Sequence, residues 1–303
     1  MRWTARGGRC GVWTPVGLLG LLVWVGCGSG HRAGTVLLNR GSDTMINVAQ
    51  AWAEEYATVA PDVSVEVAGG GSGVGIAALI DGTVEMANSS RPMKPAEREA
   101  ARAARGADPV QTIAGYDALV VYVHRDNPLD ALTLAQIEDI YAEGGTVSRW
   151  SDLGIRHPRC PRDTVIRISR QSSSGTYDFF REIALSRRDF KLGTLELNGS
   201  KEVVELVAHT PCAIGYSGMG YAIPGVKMLA IAREAGGPAV APTPQATLDE
   251  SYPIARPLYL YTIGEPSGTT RGYIDWILSP GGQSIVAAVG YVPLRRSAEE
   301  GTP

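Results

Sequence analysis

The sequence predicts an α/β fold, a mainly parallel sheet flanked by helices, and three observations lead there. From residue 34 onward, short β-branched runs alternate with helical stretches, the βαβα pattern of a layered sheet. Loops rich in hydroxyls follow the first strands, and sheets of this kind hold ligands at the carboxyl ends of their strands. Two long β-rich runs, 110–124 and 254–263, break the alternation and read as strands that leave one lobe for another and return. At 303 residues, 44% hydrophobic and 19% charged, the chain can hold one large domain or two ordinary ones. A formal net charge of −3, with no basic block, argues against nucleic acid as a partner.

The first thirty residues are addressed elsewhere than the fold. Arg2, Arg6 and Arg9 form a basic start, and Gly17–Val25 an apolar core shorter than the ~20 residues of a spanning helix. The run Val25-Gly26-Cys27-Gly28-Ser29-Gly30 has the shape of a bacterial lipoprotein processing site: a small residue, a cysteine, then a Gly/Ser tether. This predicts a signal peptide over 1–27, lipid on Cys27, a tether over 28–34, and an exported protein facing the periplasm or cell exterior. Trp24 departs from the leucine usual there, and the alternative is an ordinary secretory signal with an incidental cysteine.

Export bears on the remaining cysteines, because disulfides persist outside the cytosol. Cys160 and Cys212 both sit just ahead of predicted strands, 164–168 and 213–216. They are either joined across neighbouring strands or two free buried thiols. His31, His124, His157 and His209 are scattered singly, and no CxxC or HxxxH spacing occurs, so neither a metal nor a cofactor is expected.

In chain order, Thr35–Leu38 is a buried-type strand, and loop 39–44 opens a helix with Met45, Val48, Trp52 and Tyr56 on one stripe. Pro61 ends it, and Val63, Val65 and Val67 alternate as a second strand. The turn 68–75 then leads into a helix through Ile76, Leu79 and Ile80. It lacks the lysine of a Walker loop. Its glycines either let an anion approach backbone at a helix start or make a plain tight turn. Val84–Ala87 is a third strand, closing on Asn88-Ser89-Ser90-Arg91, and Pro95 starts a polar helix ended by Gly106. Beyond the first crossing run come a helix over 132–141, a turn to Trp150, a strand over 164–169, a strand over 213–216 and a Pro/Ala-rich loop near 237–247. Helices over 270–278 and 282–289 follow the second crossing.

The chemistry concentrates in Arg170-Gln171-Ser172-Ser173-Ser174-Gly175-Thr176-Tyr177-Asp178, between the 164–169 strand and a helix carrying Thr176, Phe180, Ile183 and Ala184 on one face. Such a turn aims unpaired amides and the positive end of a helix at one spot, where a tetrahedral oxyanion fits. Arg170 can add a bidentate contact, and Ser174 and Thr176 can donate from their hydroxyls. The bland alternative is an over-provided helix cap with a solvated arginine.

With these motifs assembled, the chain resembles the phosphate-binding lipoproteins of bacterial phosphate ABC importers. The matching segments are GSDTMINVAQAWAEEY (41–56), AGGGSGVGIAAL (68–79), VEMANSSRPM (84–93), SRQSSSGTYDFF (169–180), TPCAIGYSGMGY (210–221) and DWILSPGGQSIVAAVGYVPL (275–294). The resemblance implies a two-lobed type II periplasmic-binding-protein fold, lobe 1 from 35–115 and 259–303, lobe 2 from 116–258, joined by two crossing strands. It implies a monomer that captures inorganic phosphate between the lobes and hands it to a membrane permease, anchored to the membrane by lipid. Carried over by motif, the anion site is Asp43, Thr44, Ser72 and Ser90 from lobe 1, and Arg170, Ser174, Gly175 and Thr176 from lobe 2. Arg91 is either a further contact or a salt-bridge partner.

One departure affects selectivity. Part of the family has a carboxylate where Ser90 stands, accepting a hydrogen bond from the protonated phosphate. Sulfate at neutral pH has no proton to give, so a buried carboxylate facing it meets only acceptors. Asp43 is the candidate for this role here, with Glu85 and Asp178 behind it, and a simple helix cap is the alternative for Asp43. Two other functions stay open on sequence. One is a different ligand on the same fold: sulfate, molybdate, tungstate or an organic phosphate. The other is a secreted phosphatase-like hydrolase using Ser217, although Gly215-Tyr216-Ser217-Gly218-Met219 lacks the second glycine of a nucleophile elbow.

Overall fold

The computed structural model describes residues 34–294, and the expected signal peptide, Cys27 and most of the tether lie outside the described residues. The strands are β1 (Thr35–Gly41), β2 (Val63–Ala68), β3 (Met86–Ser89), β4 (Pro109–His124), β5 (Ala131–Thr133), β6 (Ile166–Arg170), β7 (Leu195–Leu197), β8 (Ala213–Gly218), β9 (Val226–Met228), β10 (Ala230–Ala232) and β11 (Ala255–Ile263). The helices are α1 (Ile46–Val59), α2 (Ser72–Asp81), α3 (Pro95–Arg105), α4 (Leu134–Tyr141), α5 (Gly175–Ala184), α6 (Ser200–His209), α7 (Pro244–Leu248), α8 (Gly268–Leu278) and α9 (Pro280–Ala288).

Two long strands organise everything else. The sheet runs in the order β2-β1-β3-β11-β4-β8-β6-β7, with β9 also on β4. β4 pairs antiparallel with β11 from Pro109 to Ala118, then changes partner and pairs with β8 from Leu119 to Val123. Around it, β1 is parallel to β2 and β3 on one side, and β6 is parallel to β7 and β8 on the other. The short β5 and β10 pair separately. The two crossing runs expected from sequence are β4 and β11, and between them they join the two halves of the sheet.

One buried core runs through both halves. The α1 stripe of Met45, Val48, Trp52 and Tyr56 is buried as the spacing predicts. Trp52 Nε1 donates to the Gly282 carbonyl at 2.8 Å, tying α1 to α9, and Tyr56 packs against Tyr273 and Trp276 of α8. Gly75 lets α2 sit directly on β1, since a Cβ there would lie 2.3 Å from the Arg40 carbonyl oxygen. In the other half Tyr141, Phe180, Phe190 and Tyr216 form an aromatic cluster, with Phe180 and Tyr216 stacked at 3.7 Å. Cys160 and Cys212 are joined, Cα to Cα 5.1 Å, closing a 52-residue separation.

Several boundaries differ from the sequence reading. The strand expected over 164–169 is Ile166–Arg170, because parallel pairing with β8 begins at Ile166 opposite Ala213, while Thr164 makes only an isolated bridge to Arg149. The third strand is Met86–Ser89 rather than Val84–Ala87, as its register is set by Asn39 to Gly41 of β1. Within the loop 237–247 the chain starts α7, with Thr243 capping it by accepting from the Ala246 amide. No helix among the described residues is long and apolar enough to cross a membrane.

Candidate functional site

The loops after β1, β3 and β6 and the starts of α2 and α5 converge where β4 and β11 cross. Gly41 makes the first turn possible: its φ of +150° lies in the glycine-favouring range, and a Cβ would lie 2.1 Å from the Asn88 carbonyl oxygen. The chain then turns through a short 3₁₀ segment, Asp43–Met45, that presents Asp43 and Thr44. Asp43 caps nothing. Its Oδ1 accepts from the Gly70 amide at 2.9 Å, and its Oδ2 from Arg170 Nη2 at 3.0 Å.

Arg170 is the last residue of β6 and has no solvent exposure. Its Nη1 donates to Ser200 Oγ at 2.8 Å, and its Nη2 to Asp43 and to the Asn198 carbonyl. Nε is buried with no acceptor in the protein. Burial pulls the guanidinium below the ordinary arginine value, and the neighbouring Asp43 pulls it back up. The strand end is fixed from behind by Tyr216, whose hydroxyl pairs with Ser169 Oγ at 2.6 Å.

Ser174 caps α5: its Oγ accepts from the Thr176 and Tyr177 amides at 3.1 and 3.4 Å. With its lone pairs so used, the hydroxyl proton of Ser174 is free to point elsewhere. Thr176 Oγ1 lies 2.6 Å from Thr44 Oγ1, a contact between the two halves of the molecule. Ser72 Oγ accepts from the Ser90 amide at 3.1 Å, and Ser42 Oγ donates to Ser90 Oγ at 3.0 Å. Gly175 faces this serine cluster so closely that a Cβ on it would lie 2.3 Å from Ser72 Oγ and 2.8 Å from Ser90 Oγ. The glycine-rich loop also meets the arginine loop through backbone, the Gly73 amide donating to the Ser173 carbonyl at 3.0 Å.

Eight of the nine anion-site residues named from sequence therefore come together: Asp43, Thr44, Ser72, Ser90, Arg170, Ser174, Gly175 and Thr176. The ninth, Arg91, is buried but turned to an ion-pair network. It is bidentate to Glu97 at 2.6 and 2.8 Å and donates to the Pro92 carbonyl. Its Nε is 2.9 Å from Asp178 Oδ2, close enough for charge attraction though not aligned as a hydrogen bond. Of the two carboxylates ranked behind Asp43, Asp178 belongs to this network. The exposed Glu85 accepts from the Leu38 amide.

Sequence reasoning missed the pair beneath the site. Arg256 of β11 and Asp117 of β4 stand opposite each other in register, both essentially without exposure. Arg256 donates to Asp117, to the Ser90 carbonyl at 3.2 Å and to Thr176 Oγ1 at 3.1 Å. Burial pushes the Asp117 carboxyl up, against the pull of Arg256 and then of the Met219 amide. A charged residue inside each apolar crossing strand was the available signal. Ser42, Asn198, Ser200 and Tyr221 were likewise missed. Tyr221 donates from its hydroxyl to the Asp43 carbonyl at 2.6 Å. Among the described residues no group of three or more His, Cys, Asp or Glu is placed to hold a metal ion.

Comparison with known proteins points the same way. A family model described as PBP superfamily domain matches residues 28–280. The phosphate-binding protein PstS of Pseudomonas aeruginosa is 34% identical over 270 residues, covering 86% of this chain and 83% of that protein. PstS of Bacillus subtilis is 28% identical over 265 residues, covering 87% and 82%. A crystal structure with bound phosphate, of a substrate-binding protein assigned to a phosphate ABC transporter of Clostridium perfringens, superposes with a TM-score of 0.75. It shares 30% identity and covers 86% of this chain and all of that one. A phosphate transport receptor of Vibrio cholerae, 23% identical with a TM-score of 0.67, shares the fold. The fold is thus the two-lobed type II periplasmic-binding-protein fold, and the chain belongs to the PBP superfamily and, within it, to the PstS family of phosphate-binding proteins.

Proposed function

We propose that this chain captures inorganic phosphate between its two lobes and delivers it to the membrane permease of an ABC-type importer. One observation carries the reading. Hydroxyls from both halves of the molecule meet beside a fully buried guanidinium with a free Nε, at the starts of two helices. That is a set of buried donors, the environment a dehydrated tetrahedral oxyanion needs. In this structure these hydroxyls bond one another. A bound phosphate replaces the Thr44–Thr176 and Ser72–Ser90 contacts with bonds to its own oxygens, and the lobes part slightly to admit it. Micromolar affinity corresponds to about −8 kcal/mol, which a handful of charge-assisted bonds at roughly 1.5–3 kcal/mol each supply after their costs.

In this reading the site is Asp43, Thr44, Ser72, Ser90, Arg170, Ser174, Gly175 and Thr176, and Arg91 serves as an inter-lobe tie through Asp178. Asp43 is the carboxylate that accepts the hydrogen bond from the protonated phosphate oxygen. Each of its oxygens accepts one bond from the protein and retains a lone pair. Lobe 1 is 35–115 with 259–303, of which 295–303 lie outside the described residues, and lobe 2 is 116–258; the change of partner along β4 between Ala118 and Leu119, near the first boundary, supports the division. Export by a signal over 1–27, lipid on Cys27 and the tether over 28–34 complete the proposal, supported by the residue pattern at the amino end, and a monomeric state follows from the family reading. The family is one of binding proteins rather than enzymes, and Ser217 is buried, its hydroxyl donating to the Ser200 carbonyl at 3.3 Å.

Equilibrium dialysis of the purified chain with radiolabelled phosphate tests the reading. Saturable binding that excess sulfate does not displace is expected. Absence of saturable binding rejects it.

A further inference from the structure

The charged pair between the crossing strands is costly where it sits. Asp117 and Arg256 are directly opposite each other on β4 and β11, with side-chain exposures of 0% and 1%. Two ions withdrawn from water are not repaid by their own attraction unless other groups use their remaining bonding capacity. Here the remaining capacity is directed at the anion site. Arg256 spends Nε and Nη2 on Asp117 Oδ2, at 3.0 and 2.8 Å, while Asp117 Oδ1 accepts from the Met219 amide at 3.0 Å. Nη1 donates to the Ser90 carbonyl at 3.2 Å, and Nη2 also reaches Thr176 Oγ1 at 3.1 Å and Thr44 Oγ1 at 3.5 Å. The Phe179 ring lies 5.4 Å from the guanidinium carbon. One side chain on a crossing strand thus touches the loops after β1 and β3 and the start of α5.

We propose that Arg256 is a positioning residue of the anion site, turning the Thr44 and Thr176 hydroxyl protons toward the anion, and that Asp117 limits the positive charge it places there. This deepens the phosphate reading and rests on it. Each threonine hydroxyl has one proton and two lone pairs, whereas a guanidinium only donates. An arginine donating into Thr176 Oγ1 occupies a lone pair there. One of the two hydroxyl protons is shared across the 2.6 Å Thr44–Thr176 contact; once the anion opens that contact, with Arg256 donating to both oxygens, both protons are left to donate. An oxyanion, which needs donors, profits. Without Arg256 either hydroxyl can turn a lone pair toward the anion and repel it.

Charge gives the second half. Arg170 is matched by Asp43 and Arg256 by Asp117, so the floor of the site carries no formal excess charge. Removing the Asp117 charge leaves Arg256 facing the site uncompensated. Removing Arg256 takes away a cation and a donor. The two changes therefore act on anion affinity with opposite sign, whereas a pair that only holds the fold together responds to both in the same direction.

Isothermal titration of phosphate into the native chain and the Arg256→Gln, Arg256→Lys and Asp117→Asn variants, with thermal melts of each, makes the test. Arg256→Gln is expected to weaken phosphate binding about tenfold or more, the loss of one charge-assisted bond and the orientation it enforces. Arg256→Lys falls between it and native, since it keeps charge without the planar fork. Asp117→Asn binds at least as tightly as native although it melts lower. Should Arg256→Gln fail to fold, the double variant Arg256→Gln/Asp117→Asn, which leaves no unpaired buried charge, is compared with Asp117→Asn and is expected to bind more weakly. Arg256→Gln within about threefold of native, or equal losses in Arg256→Gln and Asp117→Asn, overturns the inference while leaving the phosphate reading intact. No phosphate binding by the native chain overturns both.

Discussion

Replacing Gly175 by alanine adds one methyl group where the two lobes meet, and its consequence can be worked out from distances. The new Cβ would stand 2.3 Å from Ser72 Oγ, 2.9 Å from Ser72 Cβ and 2.8 Å from Ser90 Oγ. Those are contacts that real Cβ atoms do not make, and neither serine is at the end of a long flexible chain. Ser72 has to rotate, giving up the bond it accepts from the Ser90 amide at 3.1 Å, or the lobes have to stay apart. Either way the anion loses the Ser72 hydroxyl and the close approach of the α5 start. The lost bond to a charged group, at about 1.5–3 kcal/mol, puts the loss at roughly ten- to a hundredfold in affinity, while the broken Ser72–Ser90 bond, at about 1–3 kcal/mol, weighs on stability. Helix α5 itself is spared. Gly175 opens α5 without a left-handed φ, and alanine is the better helix former by about 0.5–1 kcal/mol. Titration calorimetry with phosphate, paired with a ligand-free melt, separates the two effects. Phosphate affinity within about threefold of native would refute the claim that both loops hold the anion together.

Asp43→Asn should admit sulfate as a competitor while preserving a bond from Arg170, and competition dialysis reads this directly; unchanged sulfate exclusion removes Asp43 from the selective role. Asp178→Asn should cost phosphate affinity no more than a few-fold, less at high salt, because a partly exposed ion pair is worth about 0–1 kcal/mol and Glu97 still holds Arg91. Reducing the Cys160–Cys212 disulfide should lower stability by about 4 kcal/mol on the loop-entropy account of a 52-residue separation, seen as a lower melting temperature in a reductant. Burial raises the Glu97 carboxyl, but the Arg91 hydrogen bond and the Lys94 amide outweigh it and hold the group below its ordinary value of 4.5. A depressed folded value means stabilisation that is full above the unfolded value and lost as pH falls through the folded one. Melting temperature should therefore decline below about pH 4.5 more steeply in the native chain than in Glu97→Gln.

Much of the site was legible because its chemistry is local. Ser174, Gly175 and Thr176 announce a helix start, Gly69 to Gly73 a close approach, and the stripe from Met45 to Tyr56 a buried helix. What escaped was whatever depends on a distant partner. Arg256 lies 139 residues from Asp117, and nothing near either residue says that the strands carrying them are neighbours in register. The fate of Arg91 was undecidable for the same reason: Glu97 is local, but Asp178 arrives from the opposite lobe. Strand ends moved for a related cause. Thr164 and Val165 are good strand residues, yet strand structure begins only where β8 offers its backbone, at Ile166.

Arsenate has the shape and protonation of phosphate and scatters anomalously, so a crystal grown in arsenate locates the anion without interpretation of weak density. One strong anomalous peak is expected within hydrogen-bond distance of Ser72, Thr44, Arg170 and Thr176, with the Thr44–Thr176 contact opened around it. A peak elsewhere, such as in the groove between Arg40, Asn47 and Lys201, with those hydroxyls still bonded to one another, would contradict it.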